Sequence, residues 1–297
     1  MKRPVLSGIL TVIALLAVVL PASADPLSVF VSVLPQKFFV EAIGGPSLTV
    51  HVMVPPGASP ATYEPKPQQM VELSGAALYF SIGVPFEKAW MKRLSSANAS
   101  LKIVATDEGT EKRAMAAHHH DGDDGHDHHH GHGLDPHIWL SPRSVLTQGR
   151  VILRALVAAD PERASLYREN YRRFAASVVA LDLELMERLS VLPEGTPFMV
   201  FHPSWGYFAD DYGLEQLPIE VEGKEPKAGE LTALVERAKA EKIGVIFVQP
   251  QFSRKAAEAL ARSAGAAVEI LDPLAEDWDE NLRRVAEALV VSASRRQ

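Results

Sequence analysis

Residues 161–189 read PERASLYRENYRRFAASVVALDLELMERL. Within them Tyr167, Tyr171, Phe174, Val178, Leu181 and Leu185 recur at steps of four and three, which puts one apolar stripe on a helix. Asp160 is placed to cap its start, and Pro161 suits its first turn. At about 1.5 Å per residue such a helix runs on the order of 40 Å. That exceeds what a small sheet on either side needs, so residues 161–190 read as a rigid connector between two lobes.

The flanks of this helix follow one grammar. Upstream, strands are expected over 27–33 (LSVFVSV), 48–54, 77–82 and 101–104, with helices over 36–43, 66–74 and 86–94 between them. Downstream, strands over 197–201 (PFMVF), 244–248 (GVIFV) and 267–271 alternate with helices over 230–241, 253–263 and 279–291. Strands alternating with helices predict parallel sheets covered on both faces. The fold class is therefore α/β: two lobes, each a parallel sheet flanked by helices, bridged by one long rigid helix. The expected lobes are 25–160 and 191–297.

The start of the chain bears on location. Lys2 and Arg3 precede an unbroken apolar run over 9–20, and Ala22-Ser23-Ala24 supplies an A-x-A cleavage pattern. Residues 1–24 read as an export signal, too short in its apolar part to span a bilayer comfortably. The chain contains no cysteine, so no disulfide braces the fold, no thiolate can bind metal and no cysteine can carry a lipid anchor. A free, soluble, periplasmic protein is expected, and a monomer. The formal charge of −7 becomes −9 once the +2 of Lys2 and Arg3 is removed with the signal. An acidic surface disfavours nucleic acid and suits a cationic ligand.

A cation is what the middle of the sequence prepares for. Between Ala117 and Asp135 stand eight of the eleven histidines, His118, His119, His120, His126, His128, His129, His130 and His132, interleaved with four aspartates. Imidazole and carboxylate at that density, with no apolar residues to make a core, read as an accessory loop over 118–132 that touches divalent metal. The loop runs directly into an apolar-flanked histidine, His137. Two further residues join it as candidate ligands. His202 and Asp272 each follow a predicted strand, and each precedes a proline that stiffens the turn. Ligands of open α/β sheets lie beyond the carboxyl ends of strands. Glu220 and Glu222 read as solvated charges, His51 as a surface residue of its strand, and Tyr63, Trp139, Trp205 and Tyr207 either as cleft walls or as core aromatics.

Four pieces of this sequence together resemble a known family. They are Val54-Pro55-Pro56-Gly57-Ala58-Ser59-Pro60 leading into Tyr63-Glu64-Pro65; Asp135-Pro136-His137-Ile138-Trp139-Leu140-Ser141-Pro142; Phe201-His202 ahead of Trp205 and Tyr207-Phe208; and Leu271-Asp272-Pro273. Glu220-Val221-Glu222-Gly223-Lys224-Glu225-Pro226 fits the same pattern. The chain resembles the zinc- or manganese-specific solute-binding proteins of ABC importers, the ZnuA-like cluster. The resemblance implies metal held in the cleft between the lobes and a permease partner in the inner membrane. It carries His137, His202 and Asp272 over as ligands. The family's first histidine, after Gly-Ala-Ser-Pro, is here Ala61, and a water, a histidine of the tract or Glu64 is left to take its place.

Two imidazoles and one carboxylate favour Zn²⁺ over Mn²⁺. The same set with an open position also describes a catalytic zinc, so a periplasmic metallohydrolase is the rival from another class. The sequence holds no H-E-x-x-H and no G-x-S-x-G, and no enzyme is expected. A third reading, prompted by Ala61, is a metal buffer or chaperone that works through the tract.

Overall fold

The computed structural model describes residues 26–115, 133–220 and 226–294. The expected export signal and the tract histidines 118–132 lie outside them. The first lobe contains β1 (Leu27–Val31), α1 (Leu34–Gly44), β2 (Leu48–Val52), α2 (Pro67–Leu73), β3 (Leu78–Ser81), α3 (Pro85–Ala97) and β4 (Lys102–Ala105). Its four strands are parallel, in the order β2-β1-β3-β4. Two helices follow, α4 (Pro142–Ala159) and α5 (Ala164–Leu189). The second lobe contains β5 (Thr196–Val200), α6 (Gly206–Asp211), β6 (Leu214–Pro218), α7 (Ala228–Ala240), β7 (Val245–Val248), α8 (Arg254–Ala264) and β8 (Ala267–Ile270). Its order, β6-β5-β7-β8, repeats that of the first sheet, again all parallel. The chain closes with α9 (Trp278–Ser294).

The central strands are covered on both faces and are correspondingly apolar along their whole length. β3 (LYFS) and β7 (VIFV) are buried at every position, whereas the edge strand β8 is exposed at both ends. The connector forms as the stripe requires. Tyr167, Phe174, Val178, Leu181 and Leu185 of α5 are buried, and the Asp160 carboxylate accepts bonds from the Arg163 backbone N–H (3.4 Å) and the Tyr167 hydroxyl (2.7 Å). Helix α4, which pattern reading did not place, starts on a Ser141 side chain that accepts from Ser144 N at 3.1 Å. It lies close against α5 because Gly149 has no side chain: a Cβ there would sit 2.9 Å from a ring carbon of Phe174.

The lobes share one apolar core. It runs from β1 and β3 through the buried face of α5 to Trp205, Phe208, Trp278 and Leu289. Trp278, at the start of α9, packs edge-on against Phe39 of α1 (5.1 Å between centroids) and donates its indole N–H to the Trp139 carbonyl at 2.7 Å. A smaller second core, with Met199, Phe201, Ile246 and Leu260, lies between the second sheet and its outer helices. Packing of this kind between lobes favours small adjustments over wide hinge opening.

Candidate metal centre

In each sheet the second strand lies on one side of the first and the third on the other, so the topology reverses beside the first strand. Ligands collect outside the carboxyl ends of strands at such a point. In the second lobe three strand ends meet there. His202 lies two residues past β5, Glu220 two past β6, and Gln249 one past β7. The Gln249 amide fixes the His202 backbone from both sides, accepting from its N–H at 3.1 Å and donating to its carbonyl at 2.6 Å. Glu220 Oε1 is 2.7 Å from His202 Nδ1. The ring then stacks on Phe252, 5.1 Å between centroids and 23° from parallel.

His137 reaches the same place by a different route. It precedes the 3-10 turn Ile138–Leu140. Asp135 Oδ1 accepts from the His137 backbone N–H at 3.0 Å and lies 2.7 Å from its Nδ1. Burial pushes the His137 pKa below its ordinary value, against the upward pull of the Asp135 carboxylate. The imidazole is therefore neutral at neutral pH.

Both rings thus present the same chemistry. A carboxylate on Nδ1 fixes the N–H there, which leaves the Nε2 lone pair for a ligand and raises its basicity. The two ring centroids are 5.2 Å apart at 72°. They line a cavity of ≈ 60 Å³ between the lobes together with Ala61, Met115, Phe252 and Pro273. A space of that size has room for a small ion with bound water. Two imidazoles so oriented are a donor set that fits zinc.

Asp272 stands beside this cavity and not in its wall. Its Oδ1 accepts from Gln251 Nε2 at 3.1 Å and from Leu274 N at 2.9 Å, and it borders a shallow outer groove with Glu276 and Asp277. Among the described residues no three His, Asp or Glu side chains converge as a metal-holding group. The structure therefore brings His137 and His202 together and leaves Asp272 next to them, engaged elsewhere. Glu64 is exposed and outside the lining, whereas Ala61 is part of it. His51 stacks on Phe30 away from the cleft, at 4.8 Å.

The aromatic candidates divide. Trp139 lines the cavity and donates to the Pro273 carbonyl at 2.7 Å; Trp205 is core; Tyr63 packs edge-on against Phe86 and donates to Gln69. Tyr207 has a further use. Its hydroxyl accepts from Arg113 N at 3.0 Å and donates to the Asp135 carbonyl at 2.9 Å. Those residues sit at the base of the tract, where Ala114 pairs with Leu134 and Met115 N bonds Gly133 O at 3.2 Å. Met115 and Gly133, the last described residues on either side of the tract, are thus bonded to each other, and Met115 lines the cavity.

Pattern reading missed the carboxylates that orient the rings. Asp135 carries a legible sign, an aspartate two residues before a histidine with proline between, which favours a local turn onto the backbone N–H. Glu220 carries none, since 18 residues separate it from His202. Its reading as a solvated charge is corrected here: it is 7% exposed, because β6 ends beside β5 and delivers it into the cleft.

Comparison with known proteins now bears on the chain as a whole. Residues 29–291 match the family model of ZnuA, the periplasmic component A of a zinc-uptake complex. The chain belongs to the ZnuA family. The high-affinity zinc uptake system protein ZnuA of Bacillus subtilis (strain 168) is 28% identical over 257 residues, covering 85% of this chain and 80% of that protein. A crystal structure of ZnuA superposes with a TM-score of 0.83 at 42% identity, over 90% of this chain and 99% of the other. A ZnuA deletion mutant with zinc bound gives 0.82 at 42% identity, over 90% and 98%. These relatives bear out the two-lobed fold and the membership of a solute-binding, metal-binding family.

Proposed function

We propose that the chain captures Zn²⁺ in the periplasm and delivers it to an ABC importer of the inner membrane. The observation that carries this reading is the pair of imidazoles at 5.2 Å, each backed on Nδ1 by a buried carboxylate. His137 and His202 bind the ion through Nε2. Asp272 completes the set by exchanging its bonds to Gln251 and Leu274 N for the metal, a side-chain movement within a fixed backbone. A water or a tract histidine takes the position that Ala61 leaves open, and Glu64 is the weaker choice from its exposed place. The tract gathers ions, and exchange between labile imidazoles passes them to the cleft. No helix of the described residues is long and apolar enough to cross a membrane, so the permease supplies the passage.

Zinc competition against a chromophoric chelator at neutral pH tests the reading. The full chain is expected to show one site tighter than micromolar, abolished in the double variant His137→Ala, His202→Ala and retained when 118–132 is deleted. Zinc binding weaker than micromolar throughout overturns it. Loss of all binding with the tract alone instead supports a buffer. Turnover in a hydrolase screen with added zinc, abolished by the same double variant, supports an enzyme.

A further inference from the structure

The wall of this cavity is poor in what a divalent ion usually asks for. Ala61 lines it and offers no donor, and among the described residues no carboxylate lines it. Asp135 and Glu220 stand behind the imidazoles on their Nδ1 sides, and Asp272 is turned onto Gln251 and Leu274 N. The lining does include Met115, whose unbranched side chain has three rotatable bonds and a polarisable thioether. Ser59 and Gln251 are its other polar members besides the histidines and Trp139.

Such a wall discriminates by charge and softness. The cost of taking an ion out of water scales with the square of its charge, so a monovalent ion loses roughly a quarter of what a divalent one of that size loses. Imidazole and thioether donors without an anion match Cu(I), which is satisfied by two or three soft ligands. We propose that the cleft also takes Cu(I), held by His137 Nε2, His202 Nε2 and the Met115 sulfur, with Asp272 left on Gln251. The proposal rests on the zinc reading only in sharing its two histidines. It makes Met115 and Asp272 alternative third ligands, one for a soft monovalent ion and one for zinc.

Sulfur provides the readout. The chain has seven methionines and no cysteine, so any Cu–S scattering comes from methionine, whatever copper the tract takes up. The full chain is loaded anaerobically with one equivalent of Cu(I) under ascorbate, studied by X-ray absorption, and competed against bicinchoninate. A Cu–S component is expected, lost in Met115→Leu together with about a tenfold fall in affinity, while zinc affinity changes less than twofold. Met115→Gln, which keeps the length and supplies a harder donor, is expected to lose the sulfur component and keep zinc. Absence of Cu–S scattering in the parent chain, or its survival in either variant, overturns the proposal. Zinc titration of the same preparations separates the two readings: failure of the zinc reading appears as no tight zinc site in the parent, whatever the sulfur signal shows.

Discussion

Beyond β1 of the first sheet, Ser32 meets Tyr79 (2.7 Å between oxygens) and the carboxylate of Glu87, which also accepts from Ile82 N at 3.0 Å and Gly83 N at 2.7 Å. Gln36 closes the group by accepting from Ser32 N at 3.0 Å and donating to Thr106 at 3.0 Å. At the equivalent place beyond β5 of the second sheet, His202, Glu220 and Gln249 form a comparable network that opens into a cavity. There, Glu220 Oε2 is buried with no hydrogen-bond partner among the described residues. One topology thus serves two ends: a sealed polar plug that shapes the turn Ile82–Pro85, and an unsealed one that keeps a histidine ready. The first lobe then contributes to the cavity wall through loops, with Ala61 and His137.

Removing a carboxylate from each network should break this symmetry most visibly. Glu87→Ala leaves the Ile82 and Gly83 backbone N–H groups without their acceptor and takes one of its partners from the Ser32 hydroxyl, at a cost of about 2–4 kcal/mol. Urea titration is expected to show that loss, with the zinc affinity of the surviving folded protein within threefold of the parent. Glu220→Gln is expected to do the reverse. It takes away the anion behind His202 and lowers zinc affinity about 10–100-fold, with little change in the urea midpoint. Equal losses of affinity in both variants would show that the two strand ends are not functionally distinct.

Proton linkage sharpens the same contrast because Glu87 of the sealed plug and His137 of the cavity carry opposite signs. Burial raises the Glu87 pKa above its ordinary 4.5, so the folded state holds more protons than the unfolded one. Its contribution to stability declines as pH rises from about 4.5 towards the folded pKa. Burial lowers the His137 pKa below its ordinary 6.5, so there the unfolded state holds more protons. Stability gains as pH rises from the folded pKa to about 6.5, and the same change is lost on acidification. Urea midpoints between pH 4 and 8 are expected to lose the falling component in Glu87→Gln and the rising component in His137→Asn. Zinc affinity should fall as pH drops through this range, since the ligand imidazole must be neutral.

How far these features were legible depends on how local their physics is. The α5 stripe and the apolar cores of β1, β3 and β7 are periodic over a few residues, and the alternation of strands and helices follows from them. The place of His202 at the cavity was legible because strand ends in this topology face a cleft, and the same rule puts Asp272 beside that cavity without showing which way its carboxylate turns. Helix α4 was obscured by Thr147-Gln148-Gly149 at its centre, which interrupts the helical pattern, and Gly149 is there for the closeness of α5. Strand β6 (LEQLP) carries two polar residues and a proline, tolerable only because it is an edge. The pairing of His202 with Glu220 and the turning of Asp272 onto Gln251 are tertiary, between partners 18 and 21 positions apart, and no local pattern reports them.

Ala61 offers the smallest and most pointed test, because it asks whether the first lobe can be made to contribute a second ligand beside His137. Its methyl group lines the cavity from an exposed loop, and Ala61 N bonds the Ser59 hydroxyl at 3.3 Å. A histidine there has room on the solvent side and need not disturb the core. Ala61→His is expected to tighten zinc binding on the order of tenfold, by replacing a bound water with a third imidazole, and to leave the urea midpoint unchanged. It should also make affinity less dependent on Asp272, so that Asp272→Asn costs less in the Ala61→His background than in the parent. Were the histidine to change nothing in either background, the opening beside Ala61 would not be a coordination position, and the cleft would have to complete its ligand set from Asp272 and the tract alone.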